Sequence, residues 1–172
     1  MAILKPFNLQ GWINDNRHLL APPVGNKQIY VANDDFIVMI VGGPNGRKDY
    51  HYEDGEELFY QLEGDIQVKI INEDGTPETI DIREGEMFLL PARVPHSPQR
   101  PANTVGLVIE RTRHAGEVDK LMWFCDHCQN PLYAAQFELR DIGTQIKGAI
   151  GEFASDEHKR TCQKCGKVMQ MS

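Results

Sequence analysis

His51, Glu57 and His96 are the residues of this sequence best placed, by type and spacing, to do chemistry. They fall in two glycine-bounded stretches, GRKDYHYEDGEELFYQLEG from Gly46 to Gly64 and GEMFLLPARVPHSPQR from Gly85 to Arg100. Two imidazoles and one carboxylate, with coordination positions left open, are the ligand set of non-haem Fe(II) oxygen chemistry. The expectation is a catalytic Fe(II) held by these three side chains.

A second metal motif follows. All four cysteines lie in the last third of the chain as the pairs Cys125-x2-Cys128 and Cys162-x2-Cys165. In a reducing compartment such knuckles indicate one shared tetrahedral thiolate site holding zinc or a single iron, a choice that spacing leaves open. A redox-active CxxC would need a βαβ context that is missing here. His127 lies inside CDHC, but four thiolates already complete the site. With His18, His114 and His158 it is read as an ordinary hydrogen-bonded residue.

The elements that must position these ligands are mostly strands. Asn8 to Leu20 has the apolar spacing of a short amphipathic helix, with Leu9, Trp12, Ile13 and Leu20 on its buried side. Beyond APPVGN, strands are expected at Gln28–Ala32, Phe36–Gly42, Glu57–Leu62, Ile66–Ile71, Thr79–Arg83, Met87–Leu90, Val105–Arg111 and Tyr133–Leu139, divided by Gly-, Asn- and Asp-rich turns. Ile66, Val68 and Ile70 mark one buried face. Many short strands at such spacing imply a mainly β protein, an antiparallel sandwich or barrel. The expected division is a catalytic β domain with its N-terminal helix at 1–115 and a small four-cysteine extension at 116–172, where Ser155 to Arg160 reads as a charged helical turn.

Bulk properties exclude several classes. At 172 residues the chain can bury one good core, and its formal net charge of -7 opposes a nucleic-acid surface. The longest apolar run, Phe36 to Val41, is far too short to cross a bilayer, and MAILKPFNLQGW carries no secretory signal pattern. A cytoplasmic location is expected.

The two metal-bearing stretches resemble the paired motifs of the cupin superfamily, which implies a jelly-roll β-barrel. His51, Glu57 and Gly64 keep the first register, and Gly85, Pro91 and His96 keep the second. Glu53 stands where a second histidine is usual, Arg93 replaces a glycine, Arg100 replaces the final asparagine, and the opening glycine is displaced to Gly46. Losing that histidine leaves three ligands and opens a coordination position; Glu53 as an extra ligand is the lesser alternative. The spacing to Gly64 selects Glu57 over the adjacent Glu56.

These departures, with PPVGNK, VGGPNGRKDYH, EELFYQLEG, FLLPARVPHSPQRP, LVIER and the two CxxC pairs in the same order, resemble the short-form 3-hydroxyanthranilate 3,4-dioxygenase family over nearly the whole chain. The resemblance implies Fe(II)-dependent extradiol-type cleavage of 3-hydroxyanthranilate by O2, giving 2-amino-3-carboxymuconate 6-semialdehyde, a quinolinate precursor in NAD synthesis or aromatic catabolism. It further implies that Arg47 and Arg100 grip the substrate carboxylate through paired charge-assisted hydrogen bonds. Glu110 would transfer protons near the substrate amine and hydroxyl, Asn26 would give a weaker hydrogen bond, and the assembly would be a homodimer. Strand alternation leaves open whether Glu110 or Arg111 points inward, and the resemblance alone selects Glu110. Because the substrate supplies all the electrons, the four-cysteine site has no required redox duty and is read as structural. The competing readings are a cupin that binds a carboxylate ligand without turnover, a zinc ribbon recognising nucleic acid or protein through Lys159, Arg160, Lys164 and Lys167, and a metal-dependent sugar isomerase.

Overall fold

The computed structural model describes residues 5–22, 25–30, 35–140 and 142–171. The N-terminal helix α1 (Leu9–Asn16) starts where the Asn8 side chain accepts from the Gly11 amide at 2.7 Å. It buries Ile13 with Leu20, Ile40 and Val105, and a single tight turn over Arg17–Leu19 completes the stretch expected as helix.

Among the described residues, strands β1 (Asn26–Gln28), β2 (Phe36–Gly42), β9 (Val105–Arg111), β4 (Glu57–Glu63) and β7 (Met87–Leu90) form one antiparallel sheet in that order. The second sheet runs β11 (Pro131–Phe137), β10 (Asp119–Phe124), β3 (Asp49–Tyr52), β8 (His96–Gln99), β5 (Ile66–Ile71) and β6 (Pro77–Ile82). The mainly β fold of two packed antiparallel sheets expected from the sequence is the observed one. Met39, Phe59, Val108 and Leu90 from the first sheet meet Ile66, Val68, Ile70 and Ile82 from the second in the core. Ile66, Val68 and Ile70 are buried while Gln67 and Lys69 face out, as alternation requires.

The first strand lies earlier than its β propensity indicated, because residues 26–28 are the ones that pair with Met39, Ile40 and Val41; Ala32 lies outside the described residues. Strands β3, β8 and β10 are additional to those expected. So is helix α2 (Ile142–Ser155), whose interior Gly148 and Gly151 each weaken it by about 1 kcal/mol. Burial outweighs that cost: Phe153 stacks on Trp123 at 4.3 Å, and Ala149 joins the same cluster. A last helical turn, α3 (Glu157–Arg160), is capped by Asp156. Strands β10 and β11, from the stretch expected as the extension, continue the second sheet through β3.

Arg93, at the position where the cupin pattern has glycine, keeps the glycine-like backbone with φ 65°. That conformation costs a side-chain-bearing residue roughly 1 to 2 kcal/mol. The Arg93 amide donates to the Glu53 carbonyl at 2.9 Å, and its guanidinium donates to Asp54 at 2.8 Å, which helps offset the strain.

Candidate active site

The site lies inside the sandwich because its three metal-type side chains come from facing sheets. His51 on β3 pairs directly with His96 on β8 in the second sheet, and Glu57 opens β4 in the first. Alternation turns His51 and Glu57 inward, since Asp49, His51, Glu57 and Phe59 are all buried positions of their strands. The ring centroids of His51 and His96 are 5.4 Å apart, and one donor atom from each of the three residues falls within 4.8 Å of the others.

The donor set fits a cation. Glu57 Oε2 lies 2.7 Å from His96 Nε2, yet this buried oxygen has no hydrogen-bond partner. Burial opposes ionisation of both residues, and their mutual attraction overrides it, holding the Glu57 carboxyl below its ordinary range and the His96 imidazole above it. A buried carboxylate converging with two imidazoles is an arrangement that a divalent ion stabilises.

A cavity of about 90 Å³ opens onto the three residues. Its polar lining includes Arg47, Arg100, Glu110 and Asn26, so all seven residues expected for catalysis and substrate come together. Met39, Val41, Phe59, Val108 and Ile146 give it apolar walls, the last contributed by α2. Two larger surface clefts, of about 510 and 500 Å³, contain none of the three metal-type residues.

The flanking arginines are held differently. Arg47 donates to Asp49 from both Nε, at 2.8 Å, and a terminal nitrogen. Arg100 is buried; burial draws its pKa down to about 10 against the opposing pull of Glu57, and its side chain donates to Gln61 at 3.2 Å. Gly106 makes this placement possible, because a Cβ there would sit 2.7 Å from an Arg100 nitrogen and 2.8 Å from the Gln61 oxygen. Asn26 lines the cavity from an exposed strand end.

The alternation question at the end of β9 is resolved in favour of Glu110, whose side chain is buried, whereas Arg111 reaches outward to Glu117 at 2.5 Å. Burial and then Glu57 raise the Glu110 carboxyl, with Arg113 opposing. Burial and then Glu110 push Glu53 up to about 10, again against Arg113. Glu53 pairs with Arg113 at 2.6 Å, and Glu56 is exposed, as are His18, His114, His127 and His158. Arg113 and Asp119 escape a reading based on motifs because they lie after LVIER, outside the two stretches that carry the ligands.

The four cysteines also converge. Cys125 and Cys165 lie 3.6 Å apart, as do Cys128 and Cys162, close to the roughly 3.8 Å edge of a tetrahedral zinc–thiolate site. Both knuckles close alike: the Gln129 amide donates to the Cys125 carbonyl and the Gly166 amide to that of Cys162, with Gln129 and Gly166 in the left-handed region.

The family model described as 3-hydroxyanthranilic acid dioxygenase matches residues 1–154, a span that includes every residue of the cavity but not the second cysteine pair. A 3-hydroxyanthranilate 3,4-dioxygenase of Bacillus cereus is 48% identical over 166 residues, covering 96% of this chain and 92% of its own. That of Xanthomonas campestris pv. campestris (strain B100) is 51% identical over 166 residues, with 96% and 93% covered. Among solved structures, a cupin-2 domain containing protein from Shewanella frigidimarina is 23% identical, with a TM-score of 0.46 over 59% of this chain and 92% of that one. A match that runs through both histidine stretches, and about half of all residues shared with relatives over nearly their full length, make this chain a member of the 3-hydroxyanthranilic acid dioxygenase family.

Proposed function

We propose that this chain is a metal-dependent ring-cleaving dioxygenase that converts 3-hydroxyanthranilate and O2 to 2-amino-3-carboxymuconate 6-semialdehyde. The observation that carries the reading is the convergence of His51, Glu57 and His96 on one cavity that also presents Arg47, Arg100 and Glu110. His51, Glu57 and His96 would hold Fe(II), which when bound supplies a Lewis-acidic centre with open positions for the substrate and O2.

The protein's own groups orient the ring. Arg47 and Arg100 bind the substrate carboxylate, each charge-assisted hydrogen bond contributing roughly 1.5 to 3 kcal/mol. Glu110, a carboxyl that burial and then Glu57 raise above its ordinary range, holds or moves a proton at the ring hydroxyl and amine. Asn26 adds a hydrogen bond at the rim, and the walls of Met39, Phe59 and Val108 exclude water. Both oxygen atoms enter the product and the substrate supplies the electrons, so the four-cysteine site, loaded with zinc or iron, serves the fold. We take the working form to be a cytoplasmic homodimer.

The test is anaerobic reconstitution with Fe(II), followed by substrate and air, with O2 uptake read against the rise of the semialdehyde absorbance. Stoichiometric uptake supports the enzyme; ligand binding without uptake would replace it with a non-catalytic binding protein. Gly106→Ala is expected to push Arg100 aside and raise KM about tenfold with iron content unchanged, the loss of roughly one charge-assisted hydrogen bond. Cys125→Ser is expected to release one metal equivalent and lower the melting temperature by roughly 10 °C, about 3 kcal/mol for a chain of this size. Calorimetry with metal analysis reads both.

A further inference from the structure

Each triad histidine has one ring nitrogen already engaged, and it is a different nitrogen in each. His96 Nδ1 lies 3.0 Å from the Val94 carbonyl, which can only accept, so this nitrogen carries the proton. Its Nε2 is left facing Glu57 at 2.7 Å. In His51 the order is reversed: Nε2 lies 2.7 Å from Oδ2 of Asp119, a wholly buried carboxylate.

Asp119 is itself clamped. Arg113 donates from Nε to its Oδ1 and from a terminal nitrogen to its Oδ2, both at 2.8 Å. The other terminal nitrogen of Arg113 meets Glu53 at 2.6 Å. Strand register explains the reach: His51 pairs with Leu121 across β3 and β10, and Asp119, two residues before Leu121, shares its face. The side chain that stands where a cupin usually has its second histidine thus braces the arginine that fixes the carboxylate behind the first.

We infer that His51 meets the metal through Nδ1 and His96 through Nε2, with Asp119 the positioning residue that forces this choice on His51. The inference rests on His51, Glu57 and His96 being the metal ligands. A carboxylate behind a ligating imidazole fixes its tautomer and raises its basicity, and losing such a partner weakens metal binding by about 10- to 100-fold.

Isotope-labelled histidine in the full-length protein, with the four-cysteine site loaded, reads both statements. With the triad metal-free at about pH 8, long-range proton–nitrogen NMR is expected to place the His51 proton on Nε2 and leave Nδ1 bare. After loading with cadmium, scalar coupling is expected at His51 Nδ1 and His96 Nε2; coupling at His51 Nε2 would overturn the assignment. No cadmium coupling to either histidine would instead overturn the triad as a metal site, while the metal-free spectrum still reports the tautomer. Asp119→Asn, which must turn a donor toward one of its former donors, is expected to weaken cadmium binding at the triad about 10- to 100-fold and leave the cysteine site full. Unchanged affinity in that variant removes Asp119 from its role. Should the variant not fold, the wild-type spectra decide alone.

Discussion

Glu57→Gln is expected to abolish turnover and empty the triad in one step. Glu57 is the only ionic member of the set, so the variant would ask a divalent ion to bind two neutral imidazoles and an amide oxygen. The damage goes further, because Glu57 Oε2 lies 2.7 Å from His96 Nε2. An amide NH2 at that point donates to the imidazole lone pair and consumes it, so one substitution removes two donors. Activity should fall at least about a thousandfold, as expected when a metal's Lewis acidity is lost. Metal analysis should find the four-cysteine equivalent retained and the other gone. Iron held at full stoichiometry would place the catalytic metal elsewhere.

Arg113→Ala is expected to be the most destabilising single change in the catalytic half of the fold, at about 3 to 5 kcal/mol near neutral pH. Arg113 pairs with Glu53, Glu110 and Asp119, all three of them buried. Burial alone would push Asp119 up, yet Arg113 and then His51 hold it at about 2, below its unfolded value of 3.8. In the wild type that stabilisation is present above the unfolded value and is lost as pH falls toward about 2. Without Arg113 the sign reverses, because a buried carboxylate lacking its cation has a folded pKa above the unfolded one and gains stability as it protonates. Urea midpoints at about pH 7 and pH 5 should therefore differ most between variant and wild type at the higher value. An equal gap at both would assign the loss to packing.

The residues that carry chemistry were legible because their constraint is local and chemical: two histidines, a glutamate and four cysteines at motif spacing. The strands under them were not. Strand β3 is DYHY and β8 is HSPQ, short segments whose inward positions are polar, so apolar alternation is absent where the site lies. Their pairing comes from neighbouring strands rather than from their own propensity. Helix α2 was hidden for the opposite reason, its glycines masking an apolar face that packs among Leu121, Trp123, Tyr133 and Met169. Asp119, Arg113 and Gly106 act across strand pairings, through a carboxylate behind a ring, a cation between acids and a missing Cβ. A single sequence gives no signal for such a relation until register is known.

Strand β10 begins at Asp119 and ends one residue before Cys125, so a single six-residue segment, roughly 20 Å long, supports both candidate metal sites. Cutting the chain at residue 115 would therefore not yield a minimal catalytic protein. It would strip β3 of its partner on one side and leave the strand that carries His51 as an exposed edge, open to pairing with another chain. Such a truncate should aggregate before it can be assayed, so the tail's contribution is better dissected by point substitution than by deletion.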